Sequence, residues 1–530
     1  MKKQIIITLI LLAATVYVTV VYFKNLNPPG TRTSQVMHVI PDNAALVFEY
    51  NNDGGFYDIF KDNKLFSALL NKEKLGELDT LKQQLLQNPL LEKYFAGQNI
   101  FISLHPLKTT GADLLLSMSA GKGFGAGVLR QAAQNHQYGL VVTPMHIDGK
   151  TGYNIFINKL KKRFFLVNQG NNIFSGSFSK ELADLSAGYK EKAGKETFVL
   201  LSEQQTNNSL ANLYVNYAGL PPLLERLFKN KNADIFKNFK QLAARAALSL
   251  NYRSDALMFN GSSILQTGEP PSYLDLFAEQ QPVINHLKDI LPSTTAYGTV
   301  FAVSNPQKFS SDLVNYQNKL GLAAERDKLY AQIKAETAIK INNEFNALLG
   351  NEFAIVTTRY FEKFAFISVK DGSKLQAVLT GISIMSQENE GQLSYEKLPF
   401  FLLGDAFSVF KRPYFIIIDN YLVLANSTTE LKSFNDIYLN RKFLSKNEQY
   451  NEFDNLLAAQ SNVSFFIQFK NAQPVFERDM HDGIYESFKT AEPGWKNFYG
   501  ASVQLTAVDK NFYTNFCMKL STDTVAYKLK

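Results

Sequence analysis

The sequence contains a single cysteine, Cys517, in 530 residues. A lone thiol excludes an internal disulfide and any cysteine-built zinc site. Histidine is scarce too: His38, His105, His136, His146, His286 and His481 are scattered, with no pair at the i, i+4 spacing that lets one helix face hold a metal. Charged residues are 19% of the chain and balance to +7, an excess too thin over this length to point to nucleic acid. Phosphate-binding fingerprints are missing. In Gly121-Lys122-Gly123-Phe124-Gly125-Ala126-Gly127 the lysine comes early and Val128 stands where a P-loop needs Ser or Thr. Neither Gly121 nor Gly123 starts a dinucleotide spacing, so a strand-to-helix turn is expected. Ser175-Gly176-Ser177 lacks the flanking glycines of a nucleophile elbow.

Histidine meets carboxylate in two clusters, His146-Ile147-Asp148 and Arg478-Asp479-Met480-His481-Asp482, and each is expected to be a solvated loop or helix end. An envelope-polymer hydrolase would need one of these histidines in a polar cleft with perturbed carboxylates. The densest basic run, Lys159-Leu160-Lys161-Lys162-Arg163, is expected at the solvated start of a strand, with anionic lipid head groups or a polyanionic wall polymer as its alternative partners. No catalytic, cofactor-binding or metal-binding residue is assigned, and no cofactor is expected.

What the chain has is apolar mass. Apolar residues make up 45%, including 42 Phe and 25 Tyr, which excludes wholesale disorder. Nineteen residues, Ile5 to Phe23, form an uncharged and mostly apolar run after Lys2 and Lys3. At about 1.5 Å per residue such a helix just spans a hydrocarbon core. Pro28 and Pro29 then forbid helix. The run continues past Ala13 and Ala14 with bulky Tyr17, Tyr22 and Phe23, which favours an uncleaved anchor over a cleaved signal sequence. No cysteine follows to take a lipid. The expectation is a single transmembrane helix over 1–24, a linker over 25–35, and the remaining chain outside the membrane.

The chain also matches itself. Ile40 to Tyr50 (IPDNAALVFEY) aligns with Leu291 to Phe301 (LPSTTAYGTVF), and GQNIFISLHP from Gly97 aligns with GNEFAIVTTR from Gly350. RFFLVNQGNNIFSGSFSKEL aligns with PYFIIIDNYLVLANSTTEL, setting Ser175-Gly176-Ser177 against Ala425-Asn426-Ser427. NLYVNYAGLPPLLER aligns with SFFIQFKNAQPVFER, pairing Glu225-Arg226 with Glu477-Arg478. ALSLNYRSDALMFNGSSIL aligns with SVQLTAVDKNFYTNFCMKL. These five anchors keep their order at offsets of 249 to 255, as a duplication with small loop insertions predicts. The halves are placed at 36–268 and 287–522, joined by a connector over 269–286, since the stretch Thr267 to Pro282 has the Pro and Gly content of a linker. Apolar residues at helical spacing (Phe56, Ile59, Phe60, Leu78, Leu81, Leu85; then Phe309, Leu313, Tyr316, Leu320) predict helices. Runs at Ile100 to Leu104 and Leu114 to Met118 predict strands joined by short turns. The fold class is therefore α+β with mainly antiparallel sheets.

The basic start, single apolar run, short linker, IPDNA strand opening and IIIDNYLVLANS hairpin resemble an uncharacterised bacterial family of membrane-anchored envelope proteins, domain of unknown function 3352. The resemblance implies location and architecture. Its pattern is apolar and diffuse, so it transfers no site. The function expected is binding or scaffolding in the cell envelope, with the membrane and an envelope protein or lipid as partners and no nucleic acid. Two halves packed face to face would leave a groove for an apolar ligand such as a lipid.

Overall fold

The computed structural model describes residues 35–52, 65, 68, 72–107, 111–134, 139–191, 209–230, 235, 242–266, 271–491 and 494–521. The proposed anchor over 1–24, His136 and the Phe56–Phe60 stripe lie outside them. No helix among the described residues is long and apolar enough to cross a membrane.

Alternating apolar runs and tight turns make antiparallel strands, which together with helices of about equal share give an α+β fold. The first ten are β1 (Leu46–Asn51), β2 (Asn99–Leu107), β3 (Gly111–Ser119), β4 (Leu140–Ile147), β5 (Lys150–Ile157), β6 (Lys162–Gly170), β7 (Ile173–Ser177), β8 (Ala211–Asn216), β9 (Ala244–Tyr252) and β10 (Ala256–Leu265). The short β11 (Val283–Ile284) follows, then β12 (Thr295–Ala302), β13 (Leu349–Thr358), β14 (Lys363–Val369), β15 (Ser383–Met385) and β16 (Glu390–Leu393). The chain closes with β17 (Tyr414–Ile418), β18 (Tyr421–Ala425), β19 (Gln460–Ser461), β20 (Val463–Gln468), β21 (Phe498–Val508) and β22 (Asn511–Leu520). Apart from the β11–β19 pair, all twenty belong to one antiparallel sheet. Its first half runs β4-β5-β6-β7-β3-β2-β1-β8-β9-β10. From the other end the order is β15-β16-β17-β18-β14-β13-β12-β20-β21-β22. The two orders correspond strand for strand.

The halves meet edge to edge, not face to face. β10 pairs with β22 along eight residues, with Asn260 opposite Asn515. A second junction pairs Phe228 with Met480. There the Lys229 N–H donates to the Asp479 carbonyl at 2.7 Å and the His481 N–H to the Leu227 carbonyl at 3.1 Å. A groove between two stacked faces is therefore not the geometry; fusing edge strands satisfies backbone groups that stacking would leave open.

One sheet face carries a core continuous across both halves, from Ile100, Met118 and Phe174 to Phe301, Phe353 and Phe407. Helices Lys72–Leu81 and Ala126–Gln134 cover it in the first half, and Pro306–Lys319 and Ile341–Leu348 in the second. Leu81, Leu85, Phe309, Leu313 and Tyr316 are buried as their spacing predicts. Leu320 is 42% exposed, because the helix stops at Lys319. The opposite face is covered in patches: by the segment around Val36–Ala44 on the first half, and by helices Thr428–Leu439 and Glu448–Asp454 on the second.

The expected connector is instead part of the second core. Tyr273, Leu274 and Phe277 are buried, the Tyr273 hydroxyl donates to the Leu403 carbonyl at 2.6 Å, and the Phe277 ring stacks on Phe301 at 5.1 Å. Three apolar side chains within five residues outweigh the turn-forming Pro and Gly before them.

The predicted hairpins form with the turn chemistry of their sequence. Asn171 and Asn172 between β6 and β7, and Asp419 between β17 and β18, take left-handed backbone. Each hairpin feeds a capped helix. Ser179 accepts from the Leu182 N–H, and Ser427 forms a reciprocal capping box with Glu430.

Candidate functional site

Between its helical covers, the second sheet face is polar. Strand register sets one residue from each of seven adjacent strands in a row: Glu49, Asn212, Ser249, Asn260, Asn515, Gln504 and Ser464. Period-two alternation puts all seven on one face, since directly opposed residues share a side. Neighbours lie about 4.8 Å apart, the spacing of hydrogen-bonded strands.

One end is anchored by a buried carboxylate. Glu49 accepts from the Asn99 amide at 2.7 Å, the Asn212 amide at 3.3 Å and the Tyr214 hydroxyl at 2.6 Å. Burial, reinforced by that carboxylate, pushes the Tyr214 phenol well above its ordinary range, so it stays a donor. Ser249 donates to Asn212, which continues the chain outward. In the middle, Asn251 donates to Asn260 and Asn260 to the Tyr513 hydroxyl. At the far end Gln504 is held by both backbone groups of Ala458, at 2.8 and 2.9 Å. Asn212, Ser249, Asn260 and Asn515 are half-buried, Asn251 is exposed, and the Tyr513 ring is 38% exposed. Asn515 makes no side-chain hydrogen bond among the described residues, so its amide faces solvent unspent. This opening is lined by neutral amides, a hydroxyl and one aromatic ring; the charge of Glu49 is consumed inside the sheet.

The sequence-predicted candidates do not converge. His146 is exposed in the β4–β5 hairpin and Asp148 lies at its turn. His481 is exposed at the start of helix Asp482–Thr490, Asp482 pairs with Lys229 at 2.7 Å, and Arg478 is bidentate to Asp479. The polar cleft a hydrolase reading requires is therefore not built from His146 or His481. His105 is fully buried between the Asn43 side-chain oxygen and the Ser103 hydroxyl, both at 2.8 Å, and desolvation lowers its pKa to about 3. His38 bonds Glu191 at 2.7 Å. The His286 ring bonds the buried Glu352 carboxylate at 3.1 Å; burial raises that acid's pKa and the His286 bonds oppose the rise. No group of three metal-ligating side chains occurs among the described residues.

The glycine loop is structural, as expected: it turns so that Phe124 packs edge-on against Phe95 and Phe174, both at 4.8 Å. Ser175 and Ser177 are buried, the first bonded to Ser117 at 2.9 Å and the second to the Leu114 carbonyl at 2.8 Å. The basic run is exposed at the start of β6, as expected, and two of its lysines also reach the neighbouring helix. Lys162 pairs with buried Glu77, and Lys159 reaches Gln83 at 3.3 Å, so the β5–β6 turn fastens the helix Lys72–Leu81 and its π-helical extension Lys82–Leu86. Beneath that helix lies an apolar cavity of about 20 Å³ lined by Leu85, Phe95, Leu116, Phe124, Phe164 and Phe174, among others.

The row was missed in the sequence because its members come from strands separated by up to 466 positions. The available signal was weak: polar residues alternating with apolar ones in strands that align between the halves. The chain matches no protein-family model, no curated protein and no solved structure.

Proposed function

We propose that this chain is a membrane-anchored extracytoplasmic protein that binds or scaffolds a component of the cell envelope, and that its two halves arose by duplication. The observation that carries the binding reading is the open polar row at the centre of the sheet, where Asn515 presents an unpaired amide beside the exposed Tyr513 ring. The membrane reading rests on the uncharged run Ile5 to Phe23, and the resemblance to domain of unknown function 3352 proteins agrees with it.

The duplication is supported by more than matching strand orders. Asn260 and Asn515, aligned with each other at an offset of 255, are direct cross-strand partners. Phe228 and Met480, equivalent at 252, also pair with each other, and their flanking hydrogen bonds exchange equivalent residues. Equivalent residues facing one another is the signature of an isologous two-fold interface, here formed within one chain. Two such contacts support the duplication reading.

A second reading, a carrier of an apolar ligand, is favoured by the cavity under helix Lys72–Leu81. That cavity sits inside the first half and has room for about one water molecule, far below an ordinary ligand site. Carriage would therefore require the helix to lift.

Location is tested by fractionating cells and adding protease to intact spheroplasts. The full chain pelleting with membranes through an alkaline wash, and losing its body to external protease, is the expected result; a soluble or protected chain would overturn the membrane reading. Native mass spectrometry with organic extraction separates the two ligand readings, because a stoichiometric lipid would favour the carrier.

A further inference from the structure

The row allows its ligand class to be named, an inference that rests on the binding reading above. Each asparagine offers one acceptor oxygen and two amide hydrogens, and each serine hydroxyl both donates and accepts. Such a surface matches a ligand whose own groups donate and accept in close alternation. A phosphate or carboxylate ligand would demand Lys or Arg, and the row has neither. Lys519, on the same strand as Asn515, is 7% exposed and paired with Glu452 at 2.6 Å. The repeat matters as well. Side chains spaced about 4.8 Å apart across successive strands form a ladder whose period is close to the length of one pyranose ring in an extended glycan. The Tyr513 ring adds an apolar platform with its hydroxyl already engaged by Asn260, suited to the C–H face of a sugar. The polar pattern also repeats about the two-fold, with Ser249 answering Gln504 and Asn212 answering Ser464, so successive units meet similar groups.

We propose that the open part of the row, Asn212, Ser249, Asn260 and Asn515, together with Asn251 and Tyr513 beside it, binds an uncharged linear oligosaccharide laid across the strands. Rigid strands hold the amides in place before binding, which lowers the ordering cost that flexible side chains would impose. Binding then exchanges water on half-buried amides for hydroxyls at the same positions.

The test is isothermal titration of the full chain, in a detergent without a sugar head group, with the hexamers of β-1,4-linked N-acetylglucosamine and β-1,4-linked glucose. Saturable binding of at least one hexamer is expected, weakened at least tenfold in Asn515→Ala and in Tyr513→Ala. Asn515 makes no side-chain hydrogen bond among the described residues, so this variant should melt with the wild type and report binding alone. Failure of both hexamers to bind would overturn the inference, as would binding unchanged in both variants. Binding of an uncharged Ser/Asn hexapeptide without either sugar would also overturn it, by assigning a peptide ligand. None of these outcomes touches the membrane fractionation, so the ligand class falls separately from the location.

Discussion

His105 should make the fold lose stability in mildly acidic solution, before the carboxylates titrate. Its ring is fully buried, with the Asn43 oxygen at one nitrogen and the Ser103 hydroxyl at the other. A neutral imidazole satisfies this pair by donating at one end and accepting at the other. Protonation would place a second donor and a desolvated charge there, which is why the folded pKa drops from 6.5 to about 3. Below pH 6.5 the unfolded chain therefore binds a proton that the folded chain refuses, and stability falls as pH falls until the folded ring titrates as well. Linkage over that interval gives a loss of about 2 kcal/mol between pH 7.5 and pH 5, and about 4 kcal/mol if carried down to pH 3. Urea unfolding at a series of pH values would measure it. The control is His105→Gln, which retains a donor and an acceptor without titrating; its absolute stability will be lower, but its slope between pH 7.5 and 5 should flatten by about the same 2 kcal/mol. Equal slopes in the two proteins would refute the assignment of a buried neutral ring.

Cys517 is buried and its thiol is pushed up to about 12, mainly by desolvation, so a disulfide exchange reagent should leave it unmodified in the native chain and react stoichiometrically in urea. Phe277→Ala removes a ring stacked on Phe301 and tilted against Phe309 at 5.4 Å; it should cost about 3–5 kcal/mol by denaturant titration, where a linker residue would cost almost nothing. In Gly176→Ala the new methyl would lie 2.4 Å from the Phe164 ring in a closed core, and a loss of about 1–3 kcal/mol is expected from the same titration. Arg226 donates to the Leu107 carbonyl at 2.6 Å, while its counterpart Arg478 stacks over the Phe361 ring at 4.2 Å. Truncating either to Ala should speed amide exchange at its own hairpin, β2–β3 or β13–β14, and leave the other unchanged.

Much of the fold was legible because local patterns and tertiary context agreed. Ser179 and Ser427 announce helix starts through capping chemistry that depends on a few adjacent residues, and the structure uses both. Asn171 and Asn172 likewise select their turn locally. The connector misled because Pro and Gly signal a break without saying what the following apolar residues will touch; Phe277 finds its partners 24 and 76 positions downstream, at Phe301 and Phe353. The ion pair of exposed Lys162 was hidden for the same reason, its partner Glu77 being 85 positions upstream. The polar row is the extreme case. Alternation identifies the polar face of each strand, but which strands adjoin, and in what register, is settled by long-range pairing that leaves no local mark.

Joining the halves through β10 and β22 also decides where the molecule is exposed to unwanted pairing. Each half alone would present two open edges, one at β10 or β22 and one at β4 or β15. Fusion consumes the two longest of these, strands of ten residues each. The outer edges that remain are blunted by their own sequences. β4 carries Pro144, which lacks an N–H to offer an incoming strand, and β15 is three residues long. The polar row therefore lies as far from either edge as the sheet allows, with Asn260 and Asn515 at its midpoint and nine further strands on each side of the β10–β22 junction. Central strands open with the free energy of global unfolding, whereas edges fray locally. A ligand bound at the proposed row would thus meet side chains held by the whole sheet, which is the condition for short amide side chains to act as a fixed ladder.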